Sequence, residues 1–111
     1  MIVYLSGPMS GITNYNGEAF EAYATKLRDA GFEVISPWEL DHGNHDQPYG
    51  TYLARDLHML LHPARKVERI YMMPGWEASR GARLELHAAA CVAIEAYNAD
   101  TMEKMENEYV L

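Results

Sequence analysis

A doubly wound α/β domain, flavodoxin-like or Rossmann-like, is the architecture to which this sequence points, with a parallel sheet of four to five strands and helices on both faces. Three observations carry that expectation. Strand-like and helix-like hydrophobic patterns alternate from end to end. No repeat or Pro/Gly-rich linker divides the 111 residues. The composition, 49% hydrophobic and 23% charged, is that of one folded domain. Alternation matters because each right-handed crossover returns the chain to the same sheet in the same direction.

The elements follow in order. Ile2 to Leu5 is a short apolar strand stopped by the Gly7-Pro8 turn, and the stretch to Gly17, rich in Gly, Asn, Ser and Thr, is a loop. From Glu18 the residues Phe20, Tyr23, Ala24 and Leu27 recur at helical spacing until Gly31 stops the helix. Phe32 to Ser36 reads as the second strand, ended by Pro37, and Glu39 to Gln47 as a polar loop. A helix starts near Tyr49, with an apolar stripe of Leu53, Leu57, Leu60 and Leu61, and Pro63 ends it. Val67 to Met73 is the third strand, Pro74 to Ala78 a turn, and Ser79 the N-cap of a helix running to Ala90. Val92 to Tyr97 reads as the fourth strand. In the tail, Met102, Met105 and Tyr109 fit a helix, whereas Glu108 to Leu111 fit an edge strand. The domain is thus read as residues 1–97, with 98–111 as a tail packing on it or on a partner subunit.

Several functions are disfavoured at once. Nine Lys and Arg against sixteen Asp and Glu give a formal charge of −7 with no basic run, the wrong balance for gripping polymeric nucleic acid. Small phosphorylated ligands are compatible with it. A single Cys91 excludes an intramolecular disulfide and any multi-cysteine zinc site, which suits a reducing compartment. The sequence opens on a strand-like run without a charged leader and holds no apolar stretch near 18 residues, so a cytoplasmic protein without membrane contact is expected.

Ligands of doubly wound sheets bind at the carboxyl ends of the strands, where strand order reverses. Three segments converge there: Ser6 to Asn16, Pro37 to Tyr49, and Pro74 to Gly81. In the last of these, Ser79-Arg80-Gly81 opens a helix whose first amides are unpaired, so it can hold an anion through N–H groups, a hydroxyl and a guanidinium. A capped helix and nothing more is the plainer reading. On a helical wheel Gly81, Leu84, Ala88 and Cys91 form the sheet-facing stripe, with Glu85 at its border. Asp56 borders the leucine stripe of the preceding helix in the same way, while Arg55, His58 and His62 point away.

The string Ile2-Val3-Tyr4-Leu5-Ser6-Gly7-Pro8-Met9, Asp56 within Ala54-Arg55-Asp56-Leu57, and Ser79-Arg80-Gly81-Ala82-Arg83-Leu84-Glu85-Leu86 together resemble the nucleoside 2-deoxyribosyltransferase superfamily, including its nucleotide N-hydrolase branch. The likeness runs from Ile2 to about Tyr97 and is closest to small phage and bacterial members. It implies Glu85, in the pattern Gly81-x-x-x-Glu85, as a nucleophile for the anomeric carbon. Tyr4 would orient that carboxylate, Asp56 would contact sugar or leaving base, and Gly7 would let the ligand approach the backbone. Pro8, Met9 and Ser10 stand where the hydrolase branch carries more polar residues that precede or touch phosphate. At position 79 free-nucleoside transferases resemble one another in carrying Asp, and the 5′-monophosphate hydrolases in carrying Ser. Ser79, with the helix amides beside it, therefore points to a deoxynucleoside 5′-monophosphate, although Arg80 and Arg83 belong to neither pattern.

An N-glycosidic bond breaks through an oxocarbenium-like state, which a nearby carboxylate stabilises and traps. The activity expected is cleavage of that bond, by hydrolysis or deoxyribosyl transfer. The alternatives are a catalytically weak nucleotide-binding module using the same cleft and a phage interaction scaffold. Trp38, Tyr49 and Trp76 stand at strand ends, where they can stack on a base or simply pack. His42 and His45, beside Asp41 and Asp46, lack a third spaced ligand, and His58 with His62 lie on the solvated face of a helix opposite its core stripe, so no metal is expected, nor any other cofactor. The helix from Ser79 is apolar nearly all round, with Ala82, Leu86, Ala89 and Ala90 off its sheet-facing stripe, which predicts a homodimer or higher homo-oligomer.

Overall fold

The computed structural model describes residues 1–41 and 47–106. Four parallel strands form one sheet: β1 (Ile2–Ser6), β2 (Glu33–Ile35), β3 (Val67–Met72) and β4 (Glu95–Asn98), in the order β2-β1-β3-β4. Four α-helices join them: α1 (Gly17–Asp29), α2 (Pro37–Asp41), α3 (Tyr49–Leu61) and α4 (Arg80–Cys91). This is the doubly wound α/β architecture expected. The chain leaves β1 for β2 on one side and returns past it to β3 on the other, so the switch point lies at the carboxyl ends of β1 and β3.

Strand alternation divides the core between the two faces. Val3 and Leu5 of β1 and Tyr71 of β3 pack with Phe20, Ala24 and Leu27 of α1. Tyr4, Ile70, Met72 and Ala96 face the other way, against Leu60 of α3 and Ala82, Leu86 and Ala89 of α4. Helices therefore cover both faces. No helix among the described residues is long and apolar enough to cross a membrane.

Helix α1 ends as expected from Gly31, which takes a left-handed φ of 97° while Phe32 N–H donates to the Leu27 carbonyl at 3.2 Å. Helix α4 ends in the same motif without a glycine. Ala93 holds a φ of 62°, and the N–H groups of Ala93 and Ile94 donate to the carbonyls of Ala90 and Ala89 at 3.2 and 2.9 Å. That closure uses residues 92–94, so β4 begins at Glu95 and not at Val92.

Other boundaries also move. The segment read as a polar loop from Glu39 begins with α2, because Pro37 supplies a first-turn φ and Ser36 O accepts from Glu39 N–H at 3.1 Å. The wheel for α4 is rotated: Leu84 is 41% exposed and Cys91 is exposed, whereas Ala82, Glu85, Leu86 and Ala89 face the core. In α3 the buried positions are Asp56 and Leu60, Leu61 is exposed, and Arg55 turns inward to an ion pair. Leu86, assigned to an uncovered side, is thus covered by the chain's own sheet.

After β4 the Asn98 side-chain oxygen accepts from Asp100 N–H at 2.8 Å and Thr101 N–H at 2.9 Å, reversing the chain. Met105 N–H then donates to Ala96 O, and Lys104 bridges Tyr97 antiparallel to the strand. The helix considered through Met102 and Met105 is absent. Tyr109 and the edge strand considered for Glu108 to Leu111 lie outside the described residues.

Candidate active site

Strand β1 places Tyr4 and Ser6 on one face, and α4 crosses that face with Glu85 one turn in from its start. The Tyr4 hydroxyl donates to Glu85 Oε2 at 2.5 Å and the Ser6 hydroxyl to Oε1 at 2.7 Å. Tyr4 and Ser6 are fully buried and Glu85 is 5% exposed. A carboxylate with one hydroxyl on each oxygen is satisfied as an acceptor, which resolves the cost of burying it between Ala82 and Leu86.

Burial nevertheless decides its proton affinity. Desolvation pushes the Glu85 pKa up from 4.5 to about 7, the two hydroxyls pull it down, and Asp56 adds a smaller upward push. Near neutral pH the group is poised between its two forms. The Tyr4 hydroxyl is held well above its ordinary value, by burial first and then by the charges of Glu85 and Asp56, so it remains a donor.

Two adjoining hollows open at this switch point. The inner one, about 60 Å³, holds Glu85, Asp56, Asp41, Gly7 and Gly81 in its wall. The outer one, about 870 Å³, is walled by Pro8, Pro74, Gly75 and Arg80 among others, and Met9, Ser10, Tyr49 and Ser79 belong to both. Tyr49, at the start of α3, stands between them. A Cβ on residue 81 would collide with the Tyr49 hydroxyl oxygen, so Gly81 is the residue that makes room for it. Gly7 has a similar reason, since a Cβ there would lie 2.8 Å from Met73 Cβ.

The start of α4 is capped as expected: Ser79 Oγ accepts from Ala82 N–H at 3.2 Å, and Arg80 is exposed at the mouth of the outer hollow. The hydroxyl proton of Ser79 stays available to an acceptor in the cavity.

Asp56 and Asp41 are bridged by Arg55. Its Nε and Nη2 donate to Asp56 Oδ1 at 3.2 and 2.6 Å, and its Nη1 pairs with Asp41 Oδ1. These charged contacts raise the guanidinium pKa further, the Asp41 hydrogen bond most of all.

The structure thus gathers Tyr4, Asp56, Glu85, Gly7, Pro8, Met9, Ser79, Arg80 and Gly81 around the two hollows. It sets Trp38 and Trp76 apart. The Trp38 indole donates to Asn14 O at 3.0 Å, its ring lies against Gly17, and Trp76 packs on the α3/α4 side of the core. Ser6, Arg55 and Asp41 escaped the sequence reading. Ser6 had a usable signal, because a residue two after Tyr4 on a strand shares its face. His58 and His62 meet edge to face at 4.9 Å, His42 and His45 lie outside the described residues, and among the described ones no three His, Cys, Asp or Glu side chains are arranged so that they could hold a metal ion.

Comparison with curated proteins and with solved structures gives no match. Residues 1–97 match the model of a family described as a domain of unknown function, DUF4406, and the chain belongs to that family.

Proposed function

We propose that this protein cleaves the N-glycosidic bond of a deoxynucleoside 5′-monophosphate, by hydrolysis or by deoxyribosyl transfer, with Glu85 as nucleophile. The observation that carries the reading is the buried Glu85 carboxylate, with a hydroxyl donor on each oxygen, at the switch point of a doubly wound sheet. In this scheme one Glu85 oxygen attacks C1′, the C1′–N bond breaks, and its electron pair leaves on the base, which takes up a proton. Water or an acceptor base then attacks C1′ of the glycosyl ester and returns the carboxylate. Positive charge developing on the sugar favours the ionised form of Glu85 at the moment it is needed, and the dry surroundings strengthen that attraction.

The phosphate is assigned to the start of α4, where backbone amides, Ser79 and Arg80 meet the outer hollow. The inner hollow has room for about two waters. A sugar reaches Glu85 when Tyr49, 49% exposed, moves aside. A deoxynucleotide substrate favours a cytoplasmic setting, and the formal charge of −7 argues against a polymeric nucleic acid as ligand.

A homodimer through the outer side of α4 is proposed with it, on the exposure of Leu84 and Val92, the latter 54% exposed. The small inner hollow also favours a second reading, a module that binds nucleotide with little turnover. Incubating the protein with deoxynucleosides and their 5′-monophosphates, with and without an acceptor base, and separating products by chromatography distinguishes the readings. Free base with deoxyribose 5-phosphate, or exchanged base, is expected. Saturable binding without either product would support the module instead.

A further inference from the structure

We propose that Arg55 is a positioning residue of this site: anchored on Asp41, its guanidinium holds Asp56 in place and neutralises it beside Glu85. The proposal rests on the reading above for what Glu85 does in turnover, and on geometry alone for the charge arrangement.

Three carboxyl groups, Asp41, Asp56 and Glu85, share the wall of the inner hollow. Like charges so confined disfavour one another's ionised forms, and low exposure weakens the screening that water would supply. The side chains of Asp41 and Asp56 are 2% and 12% exposed. One cation answers two of them. Arg55 spends its Nε/Nη2 edge on Asp56 and its Nη1 on Asp41, a division that needs a planar fork and that a lysine ammonium cannot reproduce. The same contact ties α2 to α3, so the aspartate facing the hollow is fixed from behind by a neighbouring element.

Among the described residues, the other titratable or charged groups around Glu85 are Tyr4 from β1, Tyr15 from the segment before α1, Tyr49 and Tyr52 from α3, and Arg80 on α4 itself. Of the two guanidinium groups, Arg80 is exposed at the mouth, whereas Arg55 lies directly on Asp56. Without it the Asp56 anion acts on Glu85 more strongly, and Glu85 holds its proton to higher pH.

Glutamate labelled with carbon-13 at the side-chain carboxyl reads this directly by NMR titration, the Glu85 signal being assigned by its loss in Glu85→Gln. In Arg55→Met the Glu85 midpoint should rise by about one pH unit. It should rise by less in Arg55→Lys, which keeps a charge but cannot serve both carboxylates, and return to or below the wild-type value in Arg55→Met with Asp56→Asn. Arg55→Gln, which retains amide donors, serves as the neutral variant if Met does not fold. A folded neutral variant with an unmoved midpoint overturns the proposal, and so does a rise that Asp56→Asn fails to reverse. The titration needs no turnover, so failure of the proposed reaction would be seen separately, as absent products from the wild-type protein.

Discussion

Replacing Glu85 by Gln should stabilise the fold at alkaline pH and leave it nearly unchanged at acid pH, while abolishing turnover. The folded protein holds the Glu85 pKa at about 7 against 4.5 for the free side chain, chiefly through burial. A raised carboxyl pKa means that the folded state binds the proton more tightly than the unfolded state does. The contribution of the protonated group is therefore intact below about pH 4.5 and is lost as pH climbs through about 7. A shift from 4.5 to about 7 amounts to about 3 kcal/mol of destabilisation once Glu85 is fully ionised. Gln keeps the shape and carries no charge, and its amide can accept from one of the Tyr4 and Ser6 hydroxyls while donating to the other. Denaturant unfolding of both proteins at about pH 5 and about pH 8.5 should show the variant's advantage growing by about 2 kcal/mol, roughly 8 °C in Tm for a domain of this size. An advantage independent of pH would refute the reasoning, since it would mean that Glu85 titrates alike in both states.

Three further outcomes follow from the same geometry. Turnover should rise with pH to a plateau above about 7, as Glu85 ionises, and Tyr4→Phe should move that limb upward because it removes one of the two donors favouring the anion. It should cost far less rate than Glu85→Gln, and equal losses in pH–rate measurements would give Tyr4 a direct chemical role. Gly81→Ala should hold or raise stability, by up to about 1 kcal/mol from helix propensity, yet alter ligand affinity by displacing the Tyr49 hydroxyl. Adding Tyr49→Phe removes the atom that collides, so calorimetric titration should show affinity recovering in the double variant; no recovery would place the effect elsewhere. Light scattering during gel filtration should give the mass of two chains, falling to one in Leu84→Glu, whereas a single-chain mass for the wild type would remove the dimer.

Much of this arrangement is legible in the residues, and the places where it is not have physical causes. Gly31 announces the end of α1 because glycine is the usual left-handed residue, but Ala93 takes the same conformation at the end of α4 and carries no such mark. With Val92 and Ile94 on either side, that closure imitates a strand. Helix α4 could not be phased because Leu84 and Leu86 are equally apolar and the alanines between and beyond them discriminate weakly; the sheet selects Leu86, which carries Glu85 inward from the border expected for it. Asp56, expected at the border of its apolar stripe, is buried with Leu60 while Leu53 and Leu57 are half-buried, and Arg55, adjacent in sequence and expected to face away, turns inward. A guanidinium on a long stem reaches round its helix to Asp41, and spacing cannot show a partner fourteen residues earlier. Trp38 stood at a strand end as a stacking candidate, and the need to fill the space over Gly17 claims it for packing.

The central claim, that Glu85 bonds covalently to the sugar, is tested most directly by mass spectrometry of the intact protein quenched in acid during reaction with a deoxynucleoside 5′-monophosphate. The proposed reaction predicts added mass equal to one deoxyribose 5-phosphate less water, located on the peptide containing Glu85 and missing from folded Glu85→Gln. Base release without any adduct, or with undiminished rate in Glu85→Gln, would contradict it.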